Sequence, residues 1–155
     1  MLDNGADPYS RTEEGLSLLH LATETDAIDI IFYFKENYRI GINEVDNKGS
    51  TPLHQAVFEG SEISVSFLIA WGANINAQDS DGHTPLHLAV DYAERESNSR
   101  IVKLLLLKGA DKKIKSNKGK TPRDIINQSE LRGELLEILA DEWFISWCML
   151  KMPLR

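Results

Sequence analysis

The sequence predicts an all-α solenoid of stacked helix-turn-helix units joined by hairpin-like turns, and three observations carry that prediction. First, four segments align: Gly15–Ala22 (GLSLLHLA), Gly49–Ala56 (GSTPLHQA), Gly82–Ala89 (GHTPLHLA) and Gly119–Ile126 (GKTPRDII). Their equivalent positions Ser17, Thr51, Thr84 and Thr121 are 34, 33 and 37 residues apart, a period of the kind that marks a repeat array. Second, a Gly-Ala-Asn/Asp element recurs in phase at Gly72–Asn76 and Gly109–Asp111, and Gly5-Ala6-Asp7-Pro8 matches it ahead of the first full unit. Third, the residues between these landmarks place their apolar side chains at helical spacing.

Taken in chain order, Met1–Pro8 reads as the closing piece of a unit whose helices are missing, giving a partial repeat over 1–9. Full repeats follow at about 10–43, 44–76 and 77–113, then a decayed capping repeat over 114–141. In the first unit Leu18, Leu19 and Ile30 to Phe34 would leave an apolar flank uncovered. Repeat arrays close with a polar outer face, so the chain is expected to begin inside a longer array, or else something unseen covers the flank. In the second unit Thr51 can cap a helix whose first position is Pro52, where a missing N–H costs nothing. Leu53, Ala56 and Val57 then share one face, as do Leu86, Ala89 and Val90 in the third unit. Gly60 reads as the end of the first helix. A second helix follows, with Ile63, Val65, Phe67, Leu68 and Ile69 as its buried side. Gly72 ends it, and the Asn/Asp/Gly-rich stretch 74–82 turns the chain back.

The 37-residue interval is traced to Glu94–Ser99, a polar segment that is either an extended first helix or a longer loop, both tolerated at the rim. In the last unit Arg123-Asp124 replaces Leu-His, and Ser129–Leu139 forms a more polar final helix. An aromatic-rich tail or linker spans 142–155: seven of the eight residues Trp143–Leu150 are apolar. Either the tail folds back on the last helix, or it leads into another domain or a membrane-facing segment.

A chain of 155 residues with 42% hydrophobic and 26% charged side chains suits one soluble domain. It contains no run of 18 apolar residues and no secretory start. Cys148 is the single cysteine, so no internal disulfide framework exists and an intracellular, reducing location is expected. The net charge of −7 hides an asymmetry: residues 1–100 carry 17 acidic and 6 basic side chains, whereas 101–155 carry 7 acidic and 11 basic. The acidic body argues against nucleic acid as a partner. The cluster Lys108–Lys120, with six of the cations, is the local exception; nucleic-acid or anionic-lipid binding there would depend steeply on salt.

With Thr-Pro-Leu-His-x-Ala and Gly-Ala-Asn/Asp in register, the chain resembles the ankyrin-repeat family over about residues 1–141. The resemblance implies structural roles for Thr51, Pro52, Leu53, His54, Thr84, Pro85, Leu86 and His87, and for Gly72 and Gly109. It implies that the repeated histidine bonds around the Thr-Pro turn and to the next repeat. It also implies ligand binding along a concave side made by turn tips and the exposed positions of first helices. Those positions are Asn47, Lys48, Ser50, Phe58 and Glu59 in the second unit, and Ser80, Asp81, His83, Asp91 and Tyr92 in the third. Glu13, Glu14, Leu16, Glu24 and Thr25 correspond in the first, and Asn117, Lys118 and Lys120 in the fourth. Phe58 and Tyr92 are either interface anchors or packing residues. Asn43 and Asn76 hold the turn position that asparaginyl hydroxylases modify in this family.

Catalytic chemistry finds no carrier. His20, His54 and His87 recur at the repeat period, which stacking would place about 10 Å apart, too far for one metal ion; His83 is expected exposed. Cys148 lacks a histidine at a nucleophile spacing, the carboxylates are scattered, and no glycine-rich phosphate loop occurs. The expected function is therefore a non-catalytic protein–protein interaction module, monomeric, without metal or cofactor, whose partner is another protein. The alternative is a regulatory or substrate-recruiting region of a larger membrane enzyme, such as a palmitoyltransferase with ankyrin repeats, a membrane being involved only if the chain continues past Arg155.

Overall fold

The computed structural model describes residues 7–38, 40–127 and 131–140. Their order is α1 (Leu18–Glu24), α2 (Ile28–Asn37), α3 (Pro52–Glu59), α4 (Glu62–Ala70), α5 (Pro85–Glu96), α6 (Arg100–Leu107), a 3-10 turn (Pro122–Ile125) and α7 (Arg132–Ile138). No strand occurs among the described residues, so the turns connect helices without a sheet. The expected all-α solenoid of stacked helix-turn-helix units is the observed architecture. The aromatic tail with Cys148, most of the partial first unit and residues 128–130 lie outside the described residues.

Each first helix starts the same way for the same reason. Thr51 is extended (φ −87°, ψ 165°) and Pro52 supplies a preset φ at the first helical position. The histidine three residues on then closes the cap from the other side. His54 Nδ1 accepts from the Thr51 backbone N–H (3.1 Å) and lies 2.9 Å from its hydroxyl. His87 does the same with Thr84, and His20 with Ser17. Because a backbone N–H can only donate, Nδ1 must be the acceptor and Nε2 must carry the proton. Nε2–H then donates into the following unit: His20 to the Ser50 carbonyl (2.9 Å), His54 to that of His83 (3.1 Å), His87 to that of Lys120 (3.0 Å). In the last unit Asp124 takes the place of the histidine. Its carboxylate accepts the Thr121 N–H (2.9 Å) and hydroxyl (2.7 Å), which reproduces the local cap with an acceptor that has no proton to pass on.

The first helices α1, α3 and α5 stack in one row that ends in the 3-10 turn, and the second helices stack behind them. Small buried side chains, Ala22, Ala56 and Ala89, let the first row pack closely. The second helices approach one another less intimately, which fits the concave side that the resemblance implies for the first row. Leu53, Val57, Leu86 and Val90 are fully buried between the rows, as their spacing predicts.

The turn between the paired helices needs one left-handed residue: Asp26 (φ 49°), Gly60 (φ 77°) and Ser97 (φ 51°). Gly60 meets a second constraint, since a Cβ there would stand 2.2 Å from the Tyr92 hydroxyl oxygen. Asp26 reaches across instead, its carboxylate accepting from the Ser64 N–H (3.0 Å) and hydroxyl (2.6 Å) at the start of α4. The long interval in the third unit is an extended helix: α5 has 12 residues where α3 has 8.

The structure revises the expected faces of two helices. In α4, Val65 and Leu68 are inaccessible and Ile69 is half-buried, but Ile63 (54%) and Phe67 (38%) face outward while Ser64 is buried. The helix is apolar nearly all round, so its pattern cannot choose a stripe; the Asp26–Ser64 bonds turn Ser64 inward. Phe67 instead packs on Trp71 (centroids 5.3 Å) together with Phe32 (6.1 Å). In α2, where Ile30 to Phe34 are expected to lie on an uncovered flank, Ile30, Phe32 and Tyr33 are exposed, whereas Ile31 and Phe34 are buried.

Burial is the main force holding His20, His54 and His87 below the ordinary value of 6.5, opposed by the bond each makes to the next unit's carbonyl. The unfolded chain thus takes up protons near pH 6.5 that the folded chain refuses, so these groups favour folding above that value and lose the contribution as pH falls below it. Thermal melts are expected to show a midpoint that drops between about pH 7.5 and 5.5, and a constant midpoint would contradict this role for the imidazoles. Gly60→Ala is expected to cost about 1–3 kcal/mol from the left-handed backbone and the Tyr92 clash together. Part of that cost should vanish in a Tyr92→Ala background, as a double-mutant cycle in urea would read.

Candidate interaction surface

The concave side is bordered by the turn tips, and their chemistry is set locally. Asp46 accepts the N–H groups of Lys48 and Ser50 (2.8 Å each), and Asp79 those of Asp81 (2.9 Å) and His83 (2.8 Å), which folds each turn on an aspartate. Successive turns are tied together by backbone bonds: Asn47 to Glu14, Ser80 to Lys48, Asn117 to Asp81. The side-chain amides add to this, Asn47 donating to the Glu13 carbonyl (2.9 Å) and Asn117 to that of Ser80 (2.8 Å). Gly15 and Gly82 allow it, because a Cβ at either would meet the neighbouring asparagine oxygen at 2.5 Å. The rim is thereby one continuous ladder, with Lys48, Ser80, Asp81, Lys118 and Lys120 projecting from it into solvent. Asn43 and Asn76 belong to a second ladder on the far side of the turns, accepting the N–H groups of Asn74 (2.7 Å) and Asp111 (2.8 Å).

From the first helices, Phe58 projects with 50% of its surface exposed. The Arg95 guanidinium lies 5.4 Å above its ring while pairing with Asp91 at 3.2 Å, so the extra turn of α5 supplies a cation to the aromatic. Glu59 and Glu24 are exposed and both accept from Gln55. Tyr92 sits differently from Phe58: it is half-buried against the core, with its ring over Gly60. His83 is half-buried, its ring 5.6 Å from that of His87 and its Nδ1 3.8 Å from the Asp79 carboxylate.

Two clefts result. One, of ≈ 360 Å³ between the second and third units, gathers the expected residues Lys48, Ser50, Phe58, Asp81 and His83. The next along, of ≈ 350 Å³, takes in His83 and Asp91. Glu59, Ser80, Tyr92, Lys118 and Lys120 line neither. Both clefts include Leu88, and the second also Ile125, residues the sequence reading passed over. A signal for them exists: Leu21, Gln55, Leu88 and Ile125 occupy the free x of the repeated Thr-Pro-Leu-His-x-Ala, the place that points away from the core. Asp46 and Asp79 line the first cleft as well, and with Asp81 they outweigh Lys48. Glu14, at the far end of the rim, is held below the ordinary carboxylate value by its own backbone N–H and the Thr12 hydroxyl.

No group of three His, Cys, Asp or Glu side chains among the described residues is arranged to hold a metal ion. Both nitrogens of His20, His54 and His87 are engaged in the repeat-to-repeat bonds. What the surface offers is a preformed, mixed polar and apolar groove suited to non-covalent recognition.

Comparison with known proteins agrees with this architecture. Residues 1–79 and 19–116 match the family described as ankyrin repeats (3 copies). The chain is 31% identical over 142 residues to palmitoyltransferase AKR1 of Lachancea kluyveri, an alignment of 90% of this chain and 19% of that protein. It is 34% identical over 73 residues to palmitoyltransferase AKR1 of Naumovozyma castellii, covering 44% of this chain and 10% of that protein. The chain therefore spans less than a fifth of the length of these curated relatives. By its repeated caps, its stacking and its match over residues 1–116, this chain belongs to the ankyrin-repeat family.

Proposed function

We propose that the chain is a non-catalytic module that holds an extended protein segment along its concave groove, built from repeats at about 10–43, 44–76 and 77–113 with a capping unit over 114–141. Ankyrin repeats as a class are protein-interaction modules. The observation that carries the reading is the cleft of ≈ 360 Å³ lined by Phe58, half exposed, and Leu88, half-buried, beside Lys48, Asp81 and His83. An exposed aromatic over a preformed polar floor is a favourable anchor point, and rigid repeats lose little ordering entropy on binding. Tyr92, held against Gly60, contributes to the stiffness of that surface more than to its contact area.

The likeness to palmitoyltransferases supports a second reading, in which the chain serves as a regulatory or substrate-recruiting region of a larger membrane enzyme of that kind. No helix of the described residues is long and apolar enough to cross a membrane. The coding sequence on either side of the chain tests this: a following transmembrane run supports it, and a stop codon directly after Arg155 excludes it.

For the groove, a partner captured by the wild-type chain is expected to bind Phe58→Ala about 1–2 kcal/mol more weakly, with an unchanged melting midpoint. Tyr92→Ala should chiefly lower the midpoint. Titration calorimetry on a Phe58→Ala/Leu88→Ala double variant decides the matter, since unaltered affinity would place the contact surface elsewhere.

A further inference from the structure

We infer that the basic end of the stack docks on an anionic phospholipid surface, with the acidic body pointing away from it. Residues 111–127 carry six cations and two carboxylates, a net of +4, within a chain whose net charge is −7. Lys113, Lys115, Lys118, Lys120 and Arg123 are all exposed, and no ion pair with another described residue engages any of them. The two carboxylates are occupied locally. Asp111 accepts the Lys113 N–H (2.8 Å) and Asp124 caps Thr121, its carboxyl held below the ordinary value first by those Thr121 bonds and only weakly by Lys120 and Lys115.

The cations are also gathered in space. Lys112, Lys113, Lys115 and Arg123 line a cleft of ≈ 270 Å³ with Thr121 and Leu139, between the last turn and the end of α7. Lys112 reaches the carbonyl of Ala140. The apolar segment Trp143–Leu150 begins three residues later in the sequence and is followed by Lys151 and Arg155.

Charge complementarity and its placement select the occupant. Residues 1–100 hold 17 acidic and 6 basic side chains, so a long nucleic acid tracking the protein would run from the cationic tip onto a repelling body. A planar anionic surface can meet the cationic last turn without tracking along the acidic body. Such a surface attracts a dipolar rod end-on and orients it. Docking of this kind is independent of the concave groove, and it holds whether or not the chain is joined to a membrane enzyme.

The test is co-sedimentation of the full 155-residue chain with vesicles of phosphatidylcholine alone and with about one third phosphatidylserine. Binding is expected to the anionic vesicles only, and to fall steeply between about 0.05 and 0.3 M salt. One basic side chain at such a surface is worth about fivefold in partitioning, so Lys113→Glu/Lys115→Glu/Arg123→Glu should weaken binding at least a hundredfold or so. The milder Lys113→Gln/Lys115→Gln should weaken it about 25-fold and serves if the triple variant melts early. Phe58→Ala should bind vesicles like the wild type, which separates this face from the groove. Equal binding to neutral vesicles, undiminished binding by the lysine variants, or tighter binding to a single-stranded oligonucleotide than to anionic vesicles would each overturn the inference.

Discussion

One hydrogen-bonded imidazole per repeat organises this molecule. A histidine at the third helical position accepts from the N-cap backbone with one ring nitrogen and donates into the next repeat with the other. It thereby couples a local event, the start of a helix, to the long-range event of stacking. The coupling works only with a neutral ring, which burial favours, and a fixed tautomer, which the N-cap N–H selects. Substituting aspartate in the last unit keeps the first half of the device and drops the second, because a carboxylate brings no proton to hand on.

Packing and surface follow from the same repetition. Alanines beneath the capping residues let the first helices pack closely, while the second helices approach one another less intimately. The residues that face the concave side are then those the stacking does not use: the free x position, the last exposed turn of each first helix, and the tips beyond the aspartate-folded turns. Since nothing in the core constrains them, they are free to encode recognition. The longer α5 shows how a small departure from the period becomes functional geometry, since its added turn carries Arg95 over Phe58.

The charge pattern adds a direction to this scaffold. Carboxylates concentrate along the body and cations at the final turn, so the rod has an electrostatic head and tail as well as a concave and a convex side. The side chains lining the groove between the second and third units differ from the cations Lys113, Lys115 and Arg123 of the final turn.

Local signals made much of this legible from the chain alone. Thr-Pro at a helix start, glycine at a left-handed turn and leucine at fixed spacing are consequences of backbone physics, and they named α1, α3 and α5, Gly60 and the buried Leu53, Val57, Leu86 and Val90. Where several choices satisfied the local rules equally, only the neighbouring repeat decided. The apolar circumference of α4 was turned by Asp26 holding Ser64 inward, which left Ile63 and Phe67 outside. Tyr92 and Phe58 look alike as aromatics on first helices, yet the absence of a side chain at Gly60 gives one of them a seat and leaves the other exposed. Periodicity along a chain specifies the unit; which face of the unit meets another, and which is left for a partner, is settled by contacts between residues some 30 to 40 positions apart.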